Sequence, residues 1–490
     1  MPRVPLLGGA YQSRSIIASA QKCINLYPEV NEDPQAPTPV THFPTPGLTL
    51  QGTPPLAGPS RCLYRTSHGE LFIVVYDSVY FVDTNFGYTL VGTIAVGSTQ
   101  VVMSDNGLVI VLVDGSTTGY AIDMATHAFA VINDPNFLGG TFVDYIDTFL
   151  IFNTPGTFEW QTSLALVTFD NLTAGVITPP NLYAAFDPLD VATKNGSPDP
   201  IVGLIVMHRN IWIIGELTTE AWYNSGAADF AFAPAQGVFI EHGCIAPYSI
   251  ARQDLSVFWL SQDRQGKCLV LRGGADFVVK ELSSKGIEAI FSSFSVVQDA
   301  IGGCFQIFGH AYYVITFPTA NRTFAVELKT GQWHELAYTG PDQLERHRAN
   351  GWAFAYDMNV VCDYQNGKIY ELDPNNMTDD GNPITRLRTI PHLLNDGKRI
   401  RLDKVMADTQ GGTLGSDNPS PTIFLRVSNN RGGSYGNAVE GRFGDAGEYG
   451  EFPTWNNLGM GRDFVLELSW SDPINTALNG IFYEATPALT

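Results

Sequence analysis

From Arg61 to Pro374 the chain repeats one pattern: an apolar run alternating near period two, a polar turn, a second apolar run, and often an Asp to close. Leu71-Phe-Ile-Val-Val-Tyr76, the turn Asp77-Ser78 and Val79-Tyr-Phe-Val-Asp83 make one copy. Leu108 to Val113, Asp114-Gly115 and Tyr120 to Asp123 make the next. Further copies begin at Phe149, Ile211, Val257, Ala311 and Val360. Val, Ile, Phe and Tyr dominate the runs and Gly, Asn and Asp bound them, which is the signal of consecutive β-hairpins. Units starting near Arg61, Val101, Gly140, Ile201, Pro247, Val297 and Asn350 are spaced 39 to 61 residues apart. A four-stranded propeller blade occupies roughly 40–50 residues. Residues 61–374 are therefore predicted to form an irregular β-propeller of six or seven blades; the alternative is a run of meanders folded into sandwiches. Only short helices are expected, as at Ser283 to Phe294, where Ile287, Ile290, Phe291 and Phe294 share a face.

The flanks differ in texture. Pro28 to Pro59 holds nine prolines in 32 positions. Proline fixes φ and removes a donor, so residues 1–60 read as an extended N-terminal arm, wrapped on a neighbouring surface or poorly ordered. After the turn-rich stretch 375–383, strands are expected at Lys398 to Val405, Thr422 to Val427, Phe464 to Ser469 and Gly480 to Tyr483. Residues 375–490 are predicted to form a β-sandwich-like C-terminal domain, making the whole chain all-β.

Composition agrees. In 490 residues only 16% are charged, with 48 Gly and 30 Pro, against a helical bundle, while 29 Phe and 20 Tyr argue against disorder. The 28 Lys+Arg against 49 Asp+Glu give a net charge of −21, which disfavours non-specific binding to nucleic acid. The exception is residues 386–404. There Arg386, Arg388, Lys398, Arg399, Arg401 and Lys404 face only Asp396 and Asp403, a net +4. These six cations are the candidate subunit interface. An acidic copy of the same protein is the most economical partner; a phosphate backbone and a plain solvated strand face are the alternatives. The six cysteines contain no Cys-x-x-Cys pair and are expected to be buried free thiols. Neither a signal-peptide core nor an apolar run of about 18 residues occurs, which predicts synthesis in a cytoplasm.

Motifs for chemistry are incomplete. His334-Glu335 lacks a second His one helical turn on, and the Gly-Lys pairs lack the spacing and Ser/Thr of a phosphate loop. Gly459-Met-Gly461 lacks a third glycine, and no Gly-x-Ser-x-Gly is present. No catalytic, metal or cofactor-binding residues are predicted, and the chain is expected not to be an enzyme. Two rivals remain open. A propeller glycosidase would use acid pairs such as Asp144/Asp147 or Glu216/Glu220. A receptor- or glycan-binding module would expose Trp160, Trp222 and Trp455. Ser428-Asn-Asn-Arg-Gly-Gly-Ser-Tyr435 resembles the Ser-x-Asp-x-Gly-x-x-Trp turn of sialidases, a hairpin-stabilising element, and predicts a hairpin here.

Ile24-Asn-Leu-Tyr-Pro-Glu29 followed by Phe43-Pro-Thr-Pro-Gly47 resembles the N-terminal signature of tail hub proteins of short-tailed bacteriophages, also called nozzle or packaged-DNA stabilisation proteins. Gly203 to Gly215 with Glu220 to Tyr223 is similar to that family's central segment, and Arg426 to Gly433 with Arg462 to Ser469 to its C-terminal strands. The resemblance implies a structural virion protein in the phage tail, made in the host bacterial cytoplasm. It implies a homo-oligomeric ring, a hexamer, below the portal and the head-to-tail adaptor. Such a ring extends the DNA channel, helps retain packaged DNA, and carries the tail needle, tip or fibre proteins. Phage DNA would pass through without sequence-specific binding, and no cofactor is implied.

Overall fold

The computed structural model describes residues 1–174, 184–412 and 420–488. Among them, seven four-stranded antiparallel arrangements follow one another along the chain. Their innermost strands are Ser60–Arg65, Val102–Asp105, Val143–Ile146, Ile201–Met207, Ala251–Gln253, Ile301–Ile307 and Ala349–Ala355. Each touches the next, and the seventh touches the first, so the propeller closes as a ring of seven blades. The second strands are mostly buried, Leu71–Val75 and Val109–Val113 at every position, because both faces pack against neighbouring blades. That accounts for apolar runs in which the period-two alternation nearly vanishes.

Glycine permits the tightest approaches near the axis. A Cβ on Gly302 would lie 2.3 Å from the Ser249 carbonyl oxygen, and one on Gly303 would lie 2.1 Å from Trp352 Cδ1. The expected helix is present as Lys285–Phe291, capped by the Ser284 side chain, with Ile287, Ile290 and Phe291 in the core between blades 5 and 6.

Blade 7 supplies only three strands from its own segment, Ala349–Ala355, Met358–Asp363 and Ile369–Asp373. The fourth is Gly47–Gly52, paired antiparallel with Ile369–Asp373. This stretch is the proline-free gap between Pro46 and Pro54, so every residue in it has a donor for the ladder. The segment read as an extended arm thus closes the propeller.

The rest of residues 1–60 joins the C-terminal strands in a two-sheet body. One sheet runs in the order Thr454–Asn456, Ile400–Thr409, Leu478–Pro487, Val40–Pro44, Leu26–Val30, with Arg3–Pro5 also pairing to Leu478–Pro487. Proline-bearing Leu26–Val30 sits at its edge. The other sheet is a continuation of blade 6. Its outer strand Trp333–Thr339 is followed by Cys23–Ile24, Arg386–Thr389, Asp463–Trp470, Thr422–Ser428 and Val439–Arg442, giving eleven strands in all, two of them side branches. Leu26, Leu402, Val405, Ile423, Leu466, Trp470 and Leu478 share one core between the two sheets.

Asn25 makes the splice. Ile24 pairs in parallel with Glu335 of the propeller and antiparallel with Leu387. The next residue, Asn25, takes φ +53°, a left-handed conformation that Asn tolerates. Its amide nitrogen donates to the carbonyls of Ala337 (2.8 Å) and Thr385 (2.9 Å), and its amide oxygen accepts from Ala337 N–H at 2.8 Å. One buried side chain therefore ties blade 6, the arm and the C-terminal strands together.

Candidate subunit interface

The structure divides the six basic residues. Arg386 and Arg388 are fully buried and cannot reach another subunit, which corrects their assignment to the interface. They alternate on Arg386–Thr389, a strand held between Cys23–Ile24 and Asp463–Trp470 and covered on both faces. Arg386 donates to the carbonyls of Ile384 and Met377. Burial lowers its pKa to about 10, partly offset by Asp379, whose own carboxyl burial pushes up to about 7. Arg388 donates to the carbonyls of Gly8 (2.7 Å) and Lys22 (3.0 Å) and to the Gln21 amide oxygen. Burial lowers its pKa as well. Both guanidiniums hold backbone carbonyls, a role that suits the rigid donor fork of Arg.

Lys398, Arg399 and Arg401 are exposed and Lys404 is half-buried. Arg401 pairs with Asp403 at 2.5 Å, and Lys404 lies across from Glu484. The first three occupy one end of the two-sheet body, where distant segments meet. Arg462 donates to the Gly397 carbonyl at 2.6 Å, and Arg431 sits 3.4 Å from Asp463. His392 lies between Asp463 (2.7 Å) and the Ile16 carbonyl (3.1 Å), which brings the exposed arm loop with Arg14 to the same end. Arg14, Arg431 and Arg462 were missed in the sequence because all three lie outside the strip, Arg14 near the other end of the chain, and only the fold collects them. Ser428 to Tyr435 forms the expected turn, with the Ser428 hydroxyl accepting from Gly432 N–H and Asn430 Oδ1 from Ser434 N–H, and it links Thr422–Ser428 to Val439–Arg442.

Of the acids and aromatics behind the rival readings, Glu216 is exposed and the others are held within the fold. The propeller axis holds a cavity of about 290 Å³ lined by all seven blades, including Tyr64, Phe142, Tyr248 and Trp352. That is room for roughly ten waters, far too little for a nucleic-acid duplex. Asp144 accepts from Val206 N–H and pairs with Arg252 at 2.7 Å, while Asp147 pairs with Arg209 at 2.9 Å. Glu220 is buried, accepting from Gly196 N–H and Trp222 Nε1. The aromatic candidates are not on exposed loops: Trp160, Trp222 and Trp455 are buried, because each fills a core. All six cysteines are free thiols, four of them buried, and burial pushes Cys23 up to about 11 and Cys244 to about 12. No helix among the described residues is long and apolar enough to cross a membrane.

Solved structures are matched at low identity and low TM-score. The WD40 β-propeller domain of Doa1 is 9% identical, with a TM-score of 0.40, covering 66% of this chain and 97% of that one. A chain of the mitotic checkpoint complex is 10% identical, with a TM-score of 0.42 over 70% of this chain and 96% of its own. The extracellular domain of the one-component system BT4673 from B. thetaiotaomicron is 10% identical, with a TM-score of 0.40 over 88% of this chain and 59% of its own. No curated protein matches the sequence. The model of the phage stabilisation family, described as "Bacteriophage P22 Gp10, beta-propeller", matches residues 2–377, well over half the sequence and all seven blades, and the chain belongs to that family.

Proposed function

We propose that this protein is a non-catalytic ring subunit of a phage tail, a hub or nozzle that continues the DNA channel below the portal and adaptor. Membership of a structural phage family carries the reading. Three physical features support it. The cavity on the propeller's own axis has room for only roughly ten waters, so a DNA conduit built from this chain has to lie between subunits, as in a ring. The eleven-stranded sheet running from blade 6 into the two-sheet body makes a stiff unit without a hinge loop at the splice, which suits a tube under pressure. Finally, the net charge of −21 would keep passing DNA from adhering to the wall at screening lengths of about 8 Å. In this reading the ring is a hexamer, helps retain packaged DNA, and gives the needle, tip or fibres their platform.

The test is electron microscopy of phage particles labelled with antibody to the exposed blade 5 turn Asp263 to Gly266. Label below the capsid vertex is expected, and averaging the tail then gives copy number and bore. Particles without label, against free protein that binds the antibody, would refute the tail position.

A further inference from the structure

The two ends of the two-sheet body carry opposite charge, and both expose apolar side chains. Arg14, Lys398, Arg399, Arg401, Arg431 and Arg462 gather at one end against Asp396, Asp403 and Asp463, a net +3 on a chain of −21. Ile16 (46% exposed), Leu394 (57%) and Met460 (55%) lie among them. These residues are brought together by the pairing of Leu394 with Asp463 and of Arg401 with Met460.

The opposite end lies beyond the far end of strand Ile400–Thr409, about 30 Å away at roughly 3.3 Å per residue. There the segment after Val439–Arg442 folds back over Gly411 and Gly412, with Gly447 N–H donating to the Gly412 carbonyl. Glu440, Asp445, Glu448 and Glu451 gather there with Arg442, a net −3. Tyr449 is 74% exposed and Phe452 37%.

We propose that the basic end of one chain docks on the acidic end of a second copy, so that subunits join head to tail through their two-sheet bodies. This rests on the reading of the chain as a ring subunit and names the surfaces that would build the ring. Two basic ends repel each other, as do two acidic ends, so a symmetric back-to-back dimer is disfavoured. Unlike ends attract, and a contact between different patches propagates into a ring when the rotation closes. The charges set register and partner choice, while Ile16, Leu394 and Met460 on one side and Tyr449 and Phe452 on the other supply the apolar centre that charge alone lacks. The same basic end could attract a phosphate backbone, but the chain around it is acidic and would repel one, whereas a second copy offers a matching surface.

The experiment is sedimentation velocity of the full-length protein in low salt and in 1 M NaCl, where screening shortens to about 3 Å. Wild type is expected to associate at low salt and to dissociate at high salt. Lys398→Glu/Arg399→Glu and Glu440→Lys/Glu451→Lys change exposed side chains that make no hydrogen bond or ion pair among the described residues, and each should weaken association by about tenfold or more. Mixing the two variants restores complementary ends and should restore association, with a thermal melt confirming that both fold. Association unchanged by either reversal would overturn these surfaces while leaving the ring reading intact. A wild type that stays monomeric at low salt would also overturn them, and the antibody labelling then decides the tail position separately. Reversal at the basic end that abolishes binding to a fluorescent DNA duplex but leaves association intact would assign that end to phosphate instead.

Discussion

Replacing Asn25 isolates the splice between propeller and two-sheet body. In Asn25→Ala the donors to the Ala337 and Thr385 carbonyls and the acceptor for Ala337 N–H disappear. Ala337 is 2% exposed, so neither of its backbone groups can turn to water. A buried group left unpaired costs about 1–3 kcal/mol, so the two at Ala337 cost about 2–6 kcal/mol. Position 25 also sits at φ +53°, where a residue with a Cβ and no local hydrogen bond costs a further ~1 kcal/mol. The glycine variant loses the same hydrogen bonds but not the conformational fit. Asn25→Gly is therefore expected to be more stable than Asn25→Ala, the reverse of their usual order in strands. Urea denaturation followed by tryptophan fluorescence measures both variants. An alanine variant within about 0.5 kcal/mol of wild type, too small for even one orphaned buried group, or a glycine variant less stable than the alanine one, would refute the assignment of Asn25 as the clamp.

Two further outcomes are expected. Burial holds His42 and His334 down at about 3 and His347 at about 4, so the folded chain keeps them neutral where the unfolded chain binds protons. Their contribution is complete above the ordinary imidazole pKa near 6.5 and is lost as pH falls below it, while Asp379, raised to about 7, works in the opposite sense. Three protons against one leaves a net of about two, so these groups should lower stability by up to about 3 kcal/mol per pH unit between pH 6 and 5, read from urea midpoints; a flat profile would refute it. Gly302→Ala places a methyl 2.3 Å from the Ser249 carbonyl oxygen, so it should cost about 1–3 kcal/mol and lower the melting temperature, whereas a neutral substitution would mean that the blade approach is looser than described.

The propeller was legible because a blade is a local object. Units expected near residues 61, 101, 140, 201, 247, 297 and 350 correspond to innermost strands beginning at Ser60, Val102, Val143, Ile201, Ala251, Ile301 and Ala349. Each hairpin carries its own turn chemistry, so period and punctuation suffice. The pairing of Gly47–Gly52 with Ile369–Asp373 carries no such mark, since the partners are more than three hundred residues apart and nothing in either strand names the other. Arg386 and Arg388 misled for a related reason. Two arginines flanking a leucine look like a solvated face until both sides of the strand are known to be covered, and only then does alternate Arg placement read as carbonyl binding. The exposed half of the candidate site was found through Lys398, Arg399 and Arg401, which are close in sequence, while Arg14, Arg431 and Arg462 needed the fold.

The same long-range pairing constrains when the surfaces can exist. Cys23–Ile24 needs Glu335 and Leu387, separated from it by more than three hundred residues, and Gly47–Gly52 needs Ile369–Asp373. During synthesis the arm therefore emerges first and waits for its partners until nearly the whole chain is made. Contacts of this span are the slow ones to form, because chain entropy is lost before the contact repays it. The basic end is made late for the same reason: Arg14 comes from the arm, Arg399 from the start of Ile400–Thr409, and Arg462 from the approach to Asp463–Trp470. An acidic, partly folded chain presents neither a complete basic end nor the apolar residues seated in it. If subunits join through that end, assembly is restricted to chains whose propeller is closed and whose splice is made, and no separate device is needed to exclude the others. Asn25→Ala should then reduce association beyond its effect on stability, since loosening the splice also frees the arm that carries Arg14 and Ile16 to the interface.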